Sequence, residues 1–316
     1  MPRDVVVLAG GFGGARMAHG FALLGDAVRL SVVVNTGDDL ELHGLHISPD
    51  VDTVMYTLSG WANDETGWGV RDETWSASDM LERYGAETWF RLGDRDLATH
   101  LMRTKRLADG ARLTEVTEQL ARAIGVEAKL LPMTDDRVRT QVRTASGWLD
   151  FQDYFVRRRH EDDVLELRFD GSDRAAATDD VREAISAADV IVVAPSNPFL
   201  SVAPILSVGG VRAAIEASSA PVIGVSPIVG NEAVRGPAAQ IMRSLGGEAS
   251  SAGVARHYAQ AWPKLLDVLV IDSSDAADAG AVQATGIRPH ITGTLIAAEK
   301  ERRRLAQEIL ELAGAR

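Results

Sequence analysis

The residues of this chain best suited to chemistry are carboxylates near the N-terminus. The segment 32–52 reads VVVNTGDDLELHGLHISPDVD, so Asp38 and Asp39 follow an apolar run, and Asp50 and Asp52 come soon afterwards. Proteins bind Mg²⁺ through a few carboxylates together with waters and substrate phosphates. We therefore predict that Asp38 and Asp50 share a Mg²⁺ ion that accompanies a phosphorylated substrate. Each aspartate taken singly could instead form a turn or cap a helix.

A second candidate site is the glycine-rich turn directly upstream, AGGFGGAR at residues 9–16. Glycine allows a tight turn and lets backbone N–H groups approach a phosphate at a helix N-terminus. The spacing GGxGG matches neither the dinucleotide pattern GxGxxG nor the P-loop. A tight strand-to-helix turn without a ligand therefore remains an equal alternative. We predict that a nucleotide phosphate contacts Arg16 and the glycines of this turn, Gly10, Gly11, Gly13 and Gly14.

These two turns act together only if a sheet brings them to the same edge. Residues 4–9 and 30–34 are runs typical of buried parallel strands, and residues 14–24 between them have a helical pattern. Ligands of such sheets bind outside the carboxyl ends of the strands. We expect an α/β fold, with a Rossmann-like, mostly parallel sheet flanked by helices.

The α/β pattern resumes in the second half of the chain. A strand at 190–194 runs into APSNP, where Ser196 and Asn197 could contact a base or a phosphate. Another strand at 221–225 runs into SPIVGNEAVRG, which could place Arg235 near a phosphate. The pattern further predicts a helix at 204–217, strands at 265–272 and 291–295, a terminal helix at 299–313, and surface turns at 273–282.

Residues 61–125 differ from the rest of the chain. They contain four of the six tryptophans and several segments of helical periodicity. We predict an inserted helical subdomain at 61–125 that contributes to a substrate site, which divides the α/β core into residues 1–60 and 126–316.

His43 and His46 lie three residues apart, but we do not expect a transition-metal site there, because a buried and a solvated histidine explain the pair.

Composition excludes several classes of protein. With 33 Lys and Arg against 45 Asp and Glu, the formal net charge is −12, which argues against nucleic-acid and membrane-surface binding. The chain has no cysteine, so disulfides, thiolate catalysis and zinc-thiolate sites are ruled out. No segment approaches the about 18 apolar residues of a membrane helix. We expect a cytoplasmic protein.

The ordered set of motifs along the chain resembles the 2-phospho-L-lactate transferase family of deazaflavin coenzyme biosynthesis. The motifs are GGFGGAR, VVNTGDD, GLHISPDVDTVMYTL, GWGVRDETW, WFRLGDRDLATH, LLPMTDD, APSNP, SVAPILSVGGVR and PVIGVSPIVG. They extend from residue 5 to about residue 272. The resemblance implies transfer of 2-phospholactate or phosphoenolpyruvate from a guanosine diphospho donor to the ribityl hydroxyl of Fo, 7,8-didemethyl-8-hydroxy-5-deazariboflavin. The products are coenzyme F-420-0 or its dehydro form and GMP, and Mg²⁺ is required.

The resemblance also implies roles for single residues. Asp38 and Asp50 become the metal-binding catalytic pair, and either Asp38 or Asp52 accepts the hydroxyl proton. By the family's PDxDT and (K/R)LGD motifs, Asp52 and Arg91 contact Fo. Family members further imply a homodimer. The donor contacts are the glycine turn with Arg16, Thr36, Ser196 and Asn197.

Two rival functions come from other classes of protein. A gluconeogenesis-factor-like regulatory protein would share the glycine turn and the NTGDD strand end, but would bind a nucleotide sugar without transferring anything. The segment WFRLGDRDLATH at 89–100 favours the Fo enzyme over this alternative. An NAD-dependent dehydrogenase is disfavoured, because GxGxxG is absent and no single acid ends the second strand as a ribose ligand should. The sequence does not identify the three-carbon acid of the donor.

Overall fold

The structure is a computed structural model that describes residues 1–63 and 65–315. Helices separate the successive strands of its main sheet along the chain, as a parallel α/β fold requires. The strands are β1 (Arg3–Ala9), β2 (Val28–Val34), β3 (Leu40–Leu42), β4 (Leu45–Ile47), β5 (Lys129–Pro132), β6 (Arg139–Thr144), β7 (Gly147–Asp150), β8 (Glu166–Asp170), β9 (Val190–Val193), β10 (Val222–Val225), β11 (Ile228–Val229), β12 (Glu232–Ala233), β13 (Val268–Asp272) and β14 (Arg288–Thr292).

The helices cover both faces of the main sheet and fill the region between β4 and β5. Short 3₁₀ turns occur at Gly25–Ala27 and Ser273–Asp278, and π-helical turns at Asp153–Arg157 and Pro198–Val202. The α-helices are α1 (Gly11–Ala22), α2 (Pro49–Leu58), α3 (Ser76–Arg83), α4 (Asp94–Ala108), α5 (Leu113–Ala123), α6 (Asp179–Ala187), α7 (Ala203–Ser207), α8 (Val211–Ala217), α9 (Ala238–Ser244), α10 (Ser251–Ala261), α11 (Ala279–Ala284) and α12 (Glu299–Gly314).

Seven strands form one parallel sheet in the spatial order β14-β13-β10-β9-β1-β2-β5. Every neighbouring pair in it is parallel, which confirms the predicted α/β fold. The chain leaves β1 towards β2 and β5, then returns to β9 on the other side of β1. The crevice beyond the carboxyl ends of β1 and β9 is therefore the point where the strand order reverses, the usual ligand site of such sheets.

Side chains of the central strand alternate between two apolar cores. Val5, Val7 and Ala9 face a core completed by α1, α2 and α12, whereas Val6 and Leu8 face one completed by α6, α7, α8 and α10. All five side chains are almost fully buried. Because both faces of the sheet are covered, the strands are continuous apolar runs rather than alternating ones.

The region 61–125 contains α3, α4 and α5, in agreement with its helical periodicity. Its last helix, α5, packs on β5, and Ala121 belongs to one of the two main cores. Just before this region, β3 and β4 form an antiparallel hairpin whose two-residue turn has positive φ at His43 and Gly44, as a tight hairpin turn needs. This hairpin lies between the two predicted aspartate positions along the chain.

Three sequence predictions of secondary structure are wrong, wholly or in part. The single helix at 204–217 is divided into α7 and α8, because Gly210 adopts φ of +92° between them. The last strand ends at Thr292, and Ile291 within it is exposed, so the apolar letters that follow do not extend the sheet. Residues 273–278 form an exposed 3₁₀ turn, close to the predicted surface turn, whereas residues 279–282 begin α11. Among the described residues, no helix has the length and apolar character needed to cross a membrane.

Candidate active site at the carboxyl ends of the parallel strands

Asp50 joins the two turns that the sequence singled out. It lies in the first turn of α2 and is 8% exposed. Its Oδ1 accepts a hydrogen bond from the Gly11 N–H at 2.8 Å, and its Oδ2 accepts one from Asn35 Nδ2 at 2.9 Å. Since Gly11 begins α1, the carboxylate lies at the positive end of that helix dipole. The ends of β1 and β2 thus converge on one carboxylate.

Asn35 organises the second turn, and the sequence analysis missed it. This fully buried residue follows β2, and its Oδ1 accepts a hydrogen bond from the Gly37 N–H at 2.8 Å. Its own N–H donates to the Ala9 carbonyl at 3.0 Å, and its Nδ2 also reaches the Leu200 carbonyl. Asparagine is suited to such a turn because its amide bonds to the backbone two residues on. The sequence feature that could have identified Asn35 is a polar residue directly after the apolar run VVV.

Close packing explains three glycines of the first turn. A Cβ on Gly10 would lie 2.6 Å from Asp50 Oδ2, one on Gly14 would lie 2.8 Å from Ser196 Oγ, and one on Gly13 would collide with the Pro195 carbonyl. The fourth glycine, Gly11, has φ of +60°. Close packing and backbone conformation are therefore sufficient to explain the four glycines, even without a phosphate at the turn.

The same turn also offers donors to an anion. The first N–H groups of a helix have no intrahelical acceptor. The Gly11 N–H bonds to Asp50, but within the part of the chain that the structure describes, no hydrogen bond uses the N–H of Phe12 or Gly13. Phosphates bind to such groups. The predicted phosphate contact remains a prediction, now assigned to these two amides.

Asp38 lies beside Asp50 and is 5% exposed. Burial, and then the charge of Asp50, raise the pKa of Asp38 well above its ordinary value. Burial raises the pKa of Asp50 to about 6, although the Asn35 and Gly11 hydrogen bonds oppose the shift. Two buried carboxylates that destabilise each other's charge are the arrangement that a divalent cation relieves.

The donor atoms around these carboxylates fit Mg²⁺. Asp38 Oδ1, Asp39 Oδ1 and Thr36 Oγ1 are buried and have no hydrogen-bond partner among residues 1–63 and 65–315. Buried polar atoms are otherwise almost always paired. All three are oxygens, the ligand type that Mg²⁺ prefers. Asp39 differs from Asp38, because its Oδ2 already accepts hydrogen bonds from His46 Nε2 at 3.0 Å and Ser48 Oγ at 2.8 Å.

Ser196 and Asn197 lie on the other side of the glycine turn. Ser196 Oγ donates to the Gly10 carbonyl at 2.8 Å and accepts from the Gly10 N–H at 3.2 Å, so this hydroxyl shapes the turn. Asn197 Oδ1 accepts from the N–H groups of Phe199 and Leu200. Its Nδ2 is buried and lacks a partner within the described ranges. Of these two residues, Asn197 is therefore the one with an unused side-chain donor that could bind a nucleotide.

Asp52 is held by a cation of the chain itself. Both of its oxygens accept hydrogen bonds from Arg103 of α4, one of them at 3.0 Å. Arg103 is fully buried, and the sequence analysis missed it. His100 extends the network, with Nε2 3.1 Å from an oxygen of Asp96. Asp52, Asp96 and His100 are close enough to hold a metal ion, but a guanidinium already supplies the positive charge there.

Arg91, the other residue predicted to contact Fo, lies at the surface of the insertion. Its side chain is 49% exposed, and its Nη2 lies 3.1 Å from Asp79 Oδ1. The guanidinium carbon lies 4.4 Å from the centroid of the Trp75 ring. Arg91 is therefore accessible to a flat ligand, whereas Asp52 is enclosed between α2 and α4.

Comparison with known proteins identifies the family. The family model described as 2-phospho-L-lactate transferase matches residues 5–294. A phosphoenolpyruvate transferase of Streptomyces griseus is 43% identical over 98% of both chains. One of Kitasatospora aureofaciens is 42% identical over 98% of this chain and 97% of its own. One of Mycobacterium tuberculosis is 41% identical over 90% of this chain and 92% of its own.

Solved structures agree with the fold. A crystal structure of a UPF0052-family protein of Bacillus halodurans matches 98% of this chain and 99% of its own, with a TM-score of 0.69. At 15% sequence identity this likeness concerns the fold alone. The family match covers nearly the whole chain and includes both glycine-containing turns. The chain therefore belongs to the 2-phospho-L-lactate transferase family, the transferases of coenzyme F-420 biosynthesis that its motifs indicated.

Proposed function

We propose that this protein transfers 2-phospholactate or phosphoenolpyruvate from a guanosine diphospho donor to the ribityl hydroxyl of Fo. The products are coenzyme F-420-0 or dehydro-F-420-0 and GMP, which makes the enzyme a transferase of substituted phosphate groups. Family membership and relatives named phosphoenolpyruvate transferase support this reaction. The structural observation that carries it is Asp50, which joins the glycine turn to a buried acidic turn where the described residues place no cation.

Asp38 and Asp50 would hold Mg²⁺, directly or through water, and Thr36 Oγ1 and Asp39 Oδ1 of the same turn, unpartnered among the described residues, would accept hydrogen bonds from its waters. When bound, the ion supplies charge neutralisation to the donor diphosphate. The Phe12 and Gly13 N–H groups and Arg16 would bind the diphosphate, and Asn197 Nδ2 would bind the nucleoside.

The reaction is a substitution at phosphorus. The ribityl oxygen forms a bond to the phosphorus that bears the three-carbon acid, the bond from this phosphorus to the GMP oxygen breaks, and GMP keeps that electron pair. The hydroxyl proton passes to a carboxylate. Of the two carboxylates considered, Asp52 has both oxygens on Arg103, so Asp38, with an unpartnered Oδ1 among the described residues, is the better acceptor. Such transfers depend mainly on positioning and charge neutralisation.

The insertion would form the acceptor side of the site. Arg91 and the exposed face of Trp68 are accessible to the flat ring system of Fo, whereas Asp52, buried with Arg103, would support this side of the site from within. We further propose that the enzyme is a cytoplasmic homodimer, as expected from its family.

The test mixes purified protein, Fo and Mg²⁺ with lactyl, enolpyruvyl or glyceryl diphosphoguanosine, and measures GMP release and product mass. The proposal expects Mg²⁺-dependent release of GMP and a product heavier than Fo by the phospho-acid unit of the preferred donor. The donor that reacts fastest identifies the three-carbon acid. Tight binding of a nucleotide sugar without any GMP release from these donors would contradict the proposal and favour the regulatory alternative.

A further inference from the structure

Two guanidinium groups lie against the same ring of the glycine turn. The Arg16 Cζ is 3.8 Å from the centroid of the Phe12 ring, and the Arg235 Cζ is 4.4 Å from it. Arg16 is one helical turn beyond Phe12 in α1, whereas Arg235 comes from the loop between β12 and α9. Two segments more than two hundred residues apart therefore place a cation at the same turn.

Arg235 also reaches the insertion. Its Nη2 donates a hydrogen bond to the Thr66 carbonyl, and its guanidinium lies against Gly67, where a Cβ would displace the arginine side chain. Gly67 has φ of +75°, a conformation that disfavours other residues as well. The arginine thus lies where the glycine turn, the loop after β10 and the insertion meet.

The partners of Arg235 are unusual for an exposed arginine in so acidic a chain. Surface arginines here commonly pair with carboxylates, as Arg212 does with Glu216 and Arg243 with Glu232. Within residues 1–63 and 65–315, by contrast, Arg235 forms no ion pair and contacts a ring and a carbonyl instead. An aromatic face attracts a cation without neutralising it, so the charge stays available to an anion.

The charge balance of the site also favours a diphosphate as the anion that binds there. A diphosphate diester carries two negative charges, while the proposed Mg²⁺ would balance those of Asp38 and Asp50. The Phe12 and Gly13 amides contribute only partial charges. Two guanidinium groups at this turn would complete the neutralisation, and planar guanidinium groups bind phosphate oxygens in pairs.

We propose that Arg235 and Arg16 together bind the donor diphosphate, and that Arg235 stabilises the negative charge that develops on the leaving GMP. Phe12 holds both guanidinium groups in place before the donor binds. This inference rests on the proposed function for its substrate and adds Arg235 and Phe12 to the site. An arginine at this place acts on the oxygen that keeps the electron pair of the broken bond.

The test separates phosphate binding from nucleoside binding. Calorimetric titrations with GDP and Mg²⁺, and with guanosine, compare the wild type with Arg235→Gln and Arg235→Lys. We expect Arg235→Gln to weaken GDP binding by roughly 10- to 100-fold and to leave guanosine binding unchanged. Arg235→Lys should recover part of the affinity, because a lysine keeps the charge but not the paired geometry.

Two controls remove the same charge elsewhere. Arg212→Gln lies in α8, and Arg243→Gln removes an exposed guanidinium that contacts Asn231 and Glu232. Both should bind GDP like the wild type. Phe12→Leu keeps an apolar contact but loses the charged ring face, and we expect GDP binding to weaken by roughly threefold.

Stabilisation of the leaving GMP by Arg235 is tested by single-turnover release of GMP from the donor, with Fo and Mg²⁺ saturating. We expect Arg235→Gln to slow it by roughly 100-fold or more. GDP affinity within twofold of the wild type would overturn the proposal, and so would an equal loss of GDP and guanosine binding, which would indicate a merely structural role. Failure of the wild type to release GMP would instead contradict the proposed function, while the GDP comparison would still test Arg235.

Discussion

Two carboxylates of α2, each beside a second carboxylate from another element, differ in how their charge is compensated. Asp50 and Asp52 lie two residues apart on this helix, and both are at least nine-tenths buried. Asp52 points to α4, where Arg103 binds both oxygens, and its neighbour Asp96 contacts His100 and Tyr56. Asp50 points to the strand ends and to Asp38, where the described residues supply no cation.

The difference shows which pair needs a ligand. Burial alone would raise the pKa of Asp96, but contacts with His100 and Tyr56 outweigh it and lower that pKa. The pKa values of Asp38 and Asp50 are both raised, because burial outweighs the hydrogen bonds that they accept and no cation among the described residues opposes it. Burial raises the pKa of Asp52 as well, but there the charge of Arg103 opposes the shift. A buried charge is stable only when it is paired or coordinates a metal. We therefore expect the pair near α4 to stabilise the fold, and we propose that the pair at the strand ends binds the substrate's cation.

Asp50→Ala should have the largest effect on activity. It removes a proposed metal ligand and the acceptor of the Gly11 N–H, so we expect Mg²⁺-dependent GMP release to fall by roughly a thousandfold or more. Initial rates across a Mg²⁺ series measure this, with circular dichroism to confirm folding. Asp173→Ala, which removes an exposed carboxylate, is the control. Full magnesium-dependent transfer by the Asp50 variant would remove Asp50 from the site.

Arg103→Met should have the largest effect on stability. It leaves Asp52 buried without its cation, and removal of one partner of a buried ion pair destabilises by about 3–5 kcal/mol. Urea unfolding at neutral pH gives the change in the free energy of unfolding. Arg122→Met, which breaks an exposed pair with Glu118, should change it by less than about 1 kcal/mol. Equal losses in the two variants would mean that the α4 network does not stabilise the fold.

The stability of the metal-free protein should depend on pH through Asp50. Its pKa is raised from 3.8 to about 6 in the folded state, so the folded state binds the proton more tightly. This contribution is complete below pH of about 4 and is lost as the pH rises through about 6, a loss of roughly 2–3 kcal/mol. Asp38 acts in the same direction.

Mg²⁺ should reverse that loss, because it binds the ionised carboxylates. Urea unfolding with EDTA or with Mg²⁺, at pH 5 and at pH 7.5, measures both effects. We expect the stabilisation by Mg²⁺ to be small at pH 5 and clearly larger at pH 7.5. The same increment at both values would argue against a metal site built on these two carboxylates.

Arg91→Gln should have the smallest effect on the fold. Its pair with Asp79 is exposed, so stability should change by less than about 1 kcal/mol. If Arg91 contacts Fo, the KM for Fo should rise by roughly tenfold while the affinity for GDP stays constant. An unchanged KM would leave the acceptor site to other residues of the insertion.

The sequence was sufficient to predict the parallel sheet and the meeting of its first two strand ends. Runs of β-branched residues are typical of strands buried on both faces, as in a parallel sheet. Parallel strands bring their carboxyl ends to one edge of the sheet. It did not reveal that Asp52 pairs with Arg103, because the two are 51 residues apart and only tertiary packing brings them together. The roles of Asn35 and Ser196 likewise depend on which backbone groups the folded turns leave unpaired.

The central claim concerns where the cation and the diphosphate bind. A crystal structure of the protein with GDP and Mn²⁺ in place of Mg²⁺ locates both, since anomalous scattering identifies the metal. We predict Mn²⁺ between Asp38 and Asp50, with the diphosphate on the Phe12 and Gly13 amides. Mn²⁺ and GDP bound elsewhere, with Asp38 and Asp50 free of both, would contradict this account.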